Sequence, residues 1–85
     1  MDSKWYLYIA RCKDNSLYIG ISSNLGKRMI RHNTNQGARW IEQHGAAQIV
    51  YTEALSDYLS ARKRETQIKK WSRVKKEKLI KGVWK

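Results

Sequence analysis

Two runs of β-forming residues separated by a cluster of turn formers constrain the fold of this chain more than any other feature. Lys4 to Lys13 is rich in Trp, Tyr and Ile, Asp14, Asn15 and Ser16 favour a turn, and Leu17 to Ser22 resumes the strand pattern. The pattern predicts a β-hairpin. Along the first run Tyr6, Tyr8 and Ala10 face one way and Trp5, Leu7 and Ile9 the other; on the second, Tyr18 and Gly20 share a face. A hairpin that turns symmetrically about Lys13 puts Tyr8 opposite Tyr18, with both phenols on one side of the sheet. Cross-strand packing alone accounts for such a pair.

Helical spacing follows. Ser23 or Asn24 can cap a helix whose Leu25, Arg28, Met29 and His32 fall on one stripe, with Asn35 and Gly37 ending it. Ala38 to His44 suits a short helical turn before Gly45. Gln48 to Glu53 reads as a third strand with Ile49 and Tyr51 on one face, paired with the hairpin. Ser56 or Asp57 can cap a helix running through Trp71, with Tyr58, Ala61, Glu65 and Ile68 on its inner stripe, and Ser72 can cap a last short helix. These parts assemble into an α+β domain, a small three-stranded antiparallel sheet flanked by helices, spanning residues 1–85 as one unit.

Composition restricts the partners. With 85 residues, no Phe, four Trp and five Tyr, the core must be modest and rely on aromatic packing. Eighteen Lys and Arg against seven Asp and Glu leave a formal charge of +11, a field that draws polyanions, nucleic acid first. The single Cys12 can form neither an internal disulfide nor a cysteine-based zinc site, which fits a reducing, cytoplasmic setting. The longest apolar stretch, Trp5 to Ala10, is too short for a signal peptide or a membrane span, so a soluble protein without a membrane partner is expected. Nothing in the sequence sets the oligomeric state.

Polar residues stand where the periodicity wants apolar ones. Arg28 and His32 share the stripe of Leu25 and Met29, and Glu65 lies between Ala61 and Ile68. A buried glutamate needs a partner, and an ion pair with Arg28 would satisfy it. A snorkelling arginine and a histidine at the core edge are the plain alternatives for the first helix.

These residues carry a resemblance to a known family. Tyr6-Leu7-Tyr8, ten residues before Tyr18-Ile19-Gly20, resembles the paired half-motifs of the GIY-YIG endonuclease superfamily. Arg28 and His32 follow at the expected intervals, Asn33 to Ala38 is similar to the loop after the histidine, and Ala61 to Lys70 looks like the glutamate-bearing helix of the small bacterial members. The similarity covers Trp5 to Ile80. Tyr6 stands where the name has its first glycine, and Ile21 where the repair nucleases carry a lysine.

The resemblance implies metal-dependent cleavage of a nucleic-acid backbone, with Tyr8, Tyr18, Arg28, His32 and Glu65 as catalytic residues and Glu65 as ligand of Mg²⁺ or Mn²⁺. The chemistry is coherent. Hard cations prefer oxygen donors, and magnesium keeps much of its water, so one carboxylate suits one ion. Arg28 can grip the scissile phosphate bidentately. Tyr8 is the preferred base, Tyr18 the group that positions water or phosphate, and His32 an orienting or relaying group, although exchanged roles fit equally well. Gly20 would let a phosphate approach the strand, or simply relieve crowding within the sheet.

Around such a site Arg39 and Trp40 offer a cation and a stacking face, and Lys63, Arg64, Lys69 and Lys70, with Arg73, Lys75 and Lys76, can track phosphates. No feature reads a base sequence. Single-stranded or irregular DNA is therefore the expected substrate; RNA is also compatible. A catalytically silent nucleic-acid-binding module and a basic adaptor for a protein partner are the competing classes.

Overall fold

The structure, a computed structural model, describes residues 4–26, 45 and 47–82. Strands β1 (Trp5–Cys12), β2 (Leu17–Ser22) and β3 (Ala47–Leu55) form an antiparallel sheet in the order β2-β1-β3. Two helices follow, α1 (Tyr58–Lys69) and α2 (Arg73–Ile80). The expected α+β architecture is present; the helix expected after β2 lies outside the described residues, apart from its first positions.

The hairpin turns about Asp14, one residue later than the symmetric reading. The amide of Cys12 donates to Ser16 O at 2.9 Å and that of Asn15 to Cys12 O at 2.9 Å, while Asp14 Oδ1 accepts from the Ser16 amide at 3.0 Å. Asn15 takes the left-handed conformation with φ 73°, which asparagine tolerates better than most residues. Tyr8 consequently faces Gly20, and Tyr18 faces Ala10. The register differs from the expected Tyr8 to Tyr18 pairing by two residues, and a two-residue shift leaves every side chain on its face.

A bulge alters β3 more deeply. Ile9 pairs with Tyr51 but Ala10 with Ile49, so Val50 is an extra residue and the alternation flips across it. Ile49 therefore packs with Tyr8, Ala10, Cys12 and Ala47, whereas Tyr51 joins the opposite face. The expectation that Ile49 and Tyr51 share a face is corrected on this ground.

The main core lies between the second face of the sheet and the helices, where Leu7, Ile9 and Ile19 meet Ile68 of α1 and Leu79 of α2. Asp57 caps α1 by accepting from the Ser60 amide at 2.8 Å, and Ser72 caps α2 through the Lys75 amide at 3.3 Å. Ala61, Glu65 and Ile68 form the buried stripe of α1, but Tyr58 is half exposed and rests edge-on against Trp5, ring centroids 5.0 Å apart. The helix stops at Lys69, two residues short of Trp71.

Candidate active site

Pleating of the hairpin brings two of the expected site residues together. Tyr8 is wholly buried and Tyr18 half-buried on the same face, their rings 6.1 Å apart at 31°. Gly20 is what makes room for them. A Cβ added there would lie 2.6 Å from Tyr8 Oη and 3.0 Å from Tyr18 Cε1. The space above Gly20 is thus filled by the Tyr8 phenol, which fits relief of crowding within the sheet.

Glu65 enters from the other layer. It sits on α1 less than one turn before Ile68, which packs against Leu7, Ile9 and Ile19, the face opposite the tyrosines. The helix α1 lies chiefly against β2 and β1.

The glutamate side chain is only 8% exposed, and its charge is compensated locally. Oε1 accepts from Arg62 Nη1 at 2.9 Å and Oε2 lies 3.4 Å from Lys69 Nζ. Both of these partners, the ones among the described residues, come from its own helix. Arg28, His32, Arg39 and Trp40 lie outside the described residues.

The carboxylate offers two hard oxygen donors of the kind that magnesium or manganese prefers, and Arg62 and Lys69 compete with such an ion for them. Among the described residues no three His, Cys, Asp or Glu side chains gather into a ligand cluster.

The basic residues divide into two kinds. Lys63 and Lys69 on α1 and Lys70 at its C-cap are exposed. Arg64 is instead built into the fold: its Nε and Nη2 reach Glu53 at 3.0 and 2.9 Å, and its Nη1 reaches Gln67 at 3.0 Å. Its guanidinium also stands 5.3 Å from the Trp71 ring, with Lys75 at 4.2 Å from the same ring. A phosphate-tracking role for Arg64 has to compete with these bonds.

Burial pushes the Glu53 carboxyl up, but hydrogen bonds from Arg64 and Tyr51 outweigh it and hold the group below its ordinary range. Burial and the bond to Glu53 push the Tyr51 phenol up to about 12. A second network ties the hairpin to α2, where Glu77 receives Arg11 at 2.6 and 2.9 Å and Arg73 at 3.1 Å, and Arg73 also donates to Asn15 O. The Arg11 hydrogen bond leads in holding the Glu77 carboxyl down to about 2. The sequence reading missed both networks. Tyr51 and Glu53 alternating on β3 were a local hint of the first, whereas Arg11 and Glu77, 66 residues apart, gave none.

No helix among the described residues is long and apolar enough to cross a membrane. Comparison with known proteins gives a consistent picture. The GIY-YIG catalytic domain family matches residues 4–78. A UPF0213 protein of Staphylococcus saprophyticus is 47% identical over 77 residues, covering 91% of this chain and 94% of the relative. Another, from Staphylococcus haemolyticus, is 41% identical, covering 92% and 95%. The solution NMR structure of a UPF0213 protein from Bacillus halodurans superposes with a TM-score of 0.59 at 33% identity, covering 92% of this chain and 83% of that one. With the sheet, the glutamate-bearing helix and the tyrosine pair in place, the chain belongs to the GIY-YIG family of the nuclease superfamily, within its UPF0213 group.

Proposed function

We propose that this protein is a divalent-metal-dependent endonuclease that hydrolyses phosphodiester bonds, with single-stranded or irregular DNA as its substrate. The buried Glu65 carboxylate carries the reading: a fold has little reason to place an acid on a core stripe, at the cost of desolvating it, unless its charge is used. Glu65 would hold the ion, which supplies a Lewis acid for the phosphoryl oxygens and an acidified water.

The other residues take roles that their surroundings suggest. Tyr8 is 0% exposed and Tyr18 partly exposed, so Tyr18 is the phenol that can reach a water or a phosphate. The preference for Tyr8 as general base therefore gives way to Tyr18, with Tyr8 as the positioning residue whose ring fixes it. Deprotonation of a phenol needs a neighbouring cation, and Arg28 is the candidate, acting also as the bidentate clamp on the phosphate. His32 would relay the proton. Lys63, Lys69 and Lys70, with Arg39 and Trp40, would hold the strand through charge and stacking, contacts that read no sequence and distinguish RNA poorly.

Incubating the protein and its Glu65→Gln variant with labelled single-stranded DNA, duplex DNA and RNA, in Mg²⁺, Mn²⁺ or EDTA, tests this. Metal-dependent products from single-stranded DNA that vanish with Glu65→Gln are expected. Salt-sensitive binding without products in any metal would assign a silent binding module instead.

A further inference from the structure

Glu65 is the one charged side chain buried in the described residues, yet the cations paired with it among those residues are not buried. Arg62 and Lys69 come from three residues before and four residues after it on α1, and their side chains are 56% and 55% exposed. The carboxylate is fixed by the helix, whereas its counter-ions are long surface chains reaching inward.

Two other ion pairs among the described residues differ. Arg64 meets Glu53 through two nitrogens, and Arg11 meets Glu77 likewise, with both partners of each pair 20–29% exposed. Those are bidentate joints between a strand and a helix. Single-contact pairs whose cation is mostly in solvent are weak and exchange readily.

Resting on the nuclease reading, we propose that Arg62 and Lys69 are exchangeable counter-ions of Glu65: they occupy the carboxylate until a divalent ion takes it, and the released guanidinium and ammonium groups then bind the substrate's phosphates. Metal binding is a cation exchange on this account. It follows that the two events are linked, because the ion frees two phosphate ligands and a bound phosphate draws two competitors away from the carboxylate. By reciprocity each must raise the affinity for the other. The device also explains why an acid can wait on a buried stripe without an ion: the helix supplies a removable substitute.

The test measures Mn²⁺ binding by electron paramagnetic resonance, without nucleic acid, in the wild type and in Arg62→Gln, Lys69→Gln and the double variant. Glutamine keeps helix propensity at these exposed positions, and thermal melting checks folding. Each single variant should bind Mn²⁺ about 1.5- to fivefold more tightly, the range that loss of one weak competing pair allows. An oligonucleotide titration in EDTA gives a second readout. Glu65→Gln, which frees both cations without metal, should tighten binding about threefold, and that gain should shrink markedly in the background lacking Arg62 and Lys69.

Unchanged or weaker Mn²⁺ affinity in the variants overturns the exchange, as does absence of Mn²⁺ binding in every protein of the set. If wild type and variants all cleave in a metal-dependent manner but share one Mn²⁺ affinity, the exchange falls and the nuclease reading stands. If Mn²⁺ affinity rises as expected while no protein cleaves, the reverse holds.

Discussion

The hydroxyl of Tyr8 lies 2.6 Å from the point that a side chain on Gly20 would occupy. The two residues face each other across the β1-β2 ladder, and the ring is wholly buried, so neither the phenol nor the strand has space to give. Gly20→Ala should therefore destabilise the protein by about 1–3 kcal/mol, the usual cost of forcing extra volume into a packed core. Adding Tyr8→Phe removes the nearest atom but leaves Cζ at 2.8 Å, so the double variant should recover only part of the loss. Urea unfolding of the four proteins in this cycle measures the coupling.

Tyr18 and Tyr8 should separate kinetically. Loss of a general base typically lowers turnover by about 10²–10⁴-fold. Tyr18→Phe should fall in that range with a smaller change in melting temperature than Tyr8→Phe, since its side chain is less buried. Tyr8→Phe should lower stability and activity together. Single-turnover cleavage with parallel melting curves distinguishes the two.

Acid sensitivity should trace to Glu77. Its carboxyl has a pKa of about 2 in the folded protein against an ordinary value of 4.5, so the folded state binds this proton less tightly than the unfolded one. The stability contributed by this group is present above about pH 5 and is lost as pH falls from there toward 2. Glu77→Gln should lower stability at pH 7 and flatten the acid limb over that window. Denaturant midpoints between pH 7 and pH 2.5 check it.

Breaking the Arg64 to Glu53 joint should cost more than a surface pair. Glu53→Ala leaves a guanidinium whose side chain is 20% exposed without its bidentate partner, with a loss of about 2 kcal/mol expected. The exposed Lys63 and Lys70 should behave in the opposite way. Replacing either by Ala should leave stability alone and reduce the slope of log affinity against log salt by about one, as for any single phosphate contact. Fluorescence anisotropy over a salt series reads the slope.

Much of this was legible because it depends on periods of two and 3.6. Alternation placed Tyr8, Tyr18 and Gly20 on one face, the α1 stripe identified Glu65 as buried, and Asp57 and Ser72 marked the helix starts. The turn centre was missed by one residue because Asn15 adopts a left-handed conformation that alternation does not encode. The β3 bulge was hidden for a similar reason: an extra residue at Val50 alters the pairing with β1 but leaves the β-forming composition intact. Arg64 read as one basic residue in a charged run. Only the fold shows that β3 presents Glu53 to it, while Lys63 beside it faces solvent. The layer from which Glu65 approaches depends on how α1 docks, which no local pattern contains.

The most direct test of the central claim is cleavage of end-labelled single-stranded DNA by wild type and Glu65→Gln, each in Mn²⁺ and in EDTA, with binding followed on the same substrate. The account predicts products only from the wild type with Mn²⁺, while both proteins bind the strand. Cleavage by Glu65→Gln at the wild-type rate, or wild-type products that persist undiminished in EDTA, would contradict it.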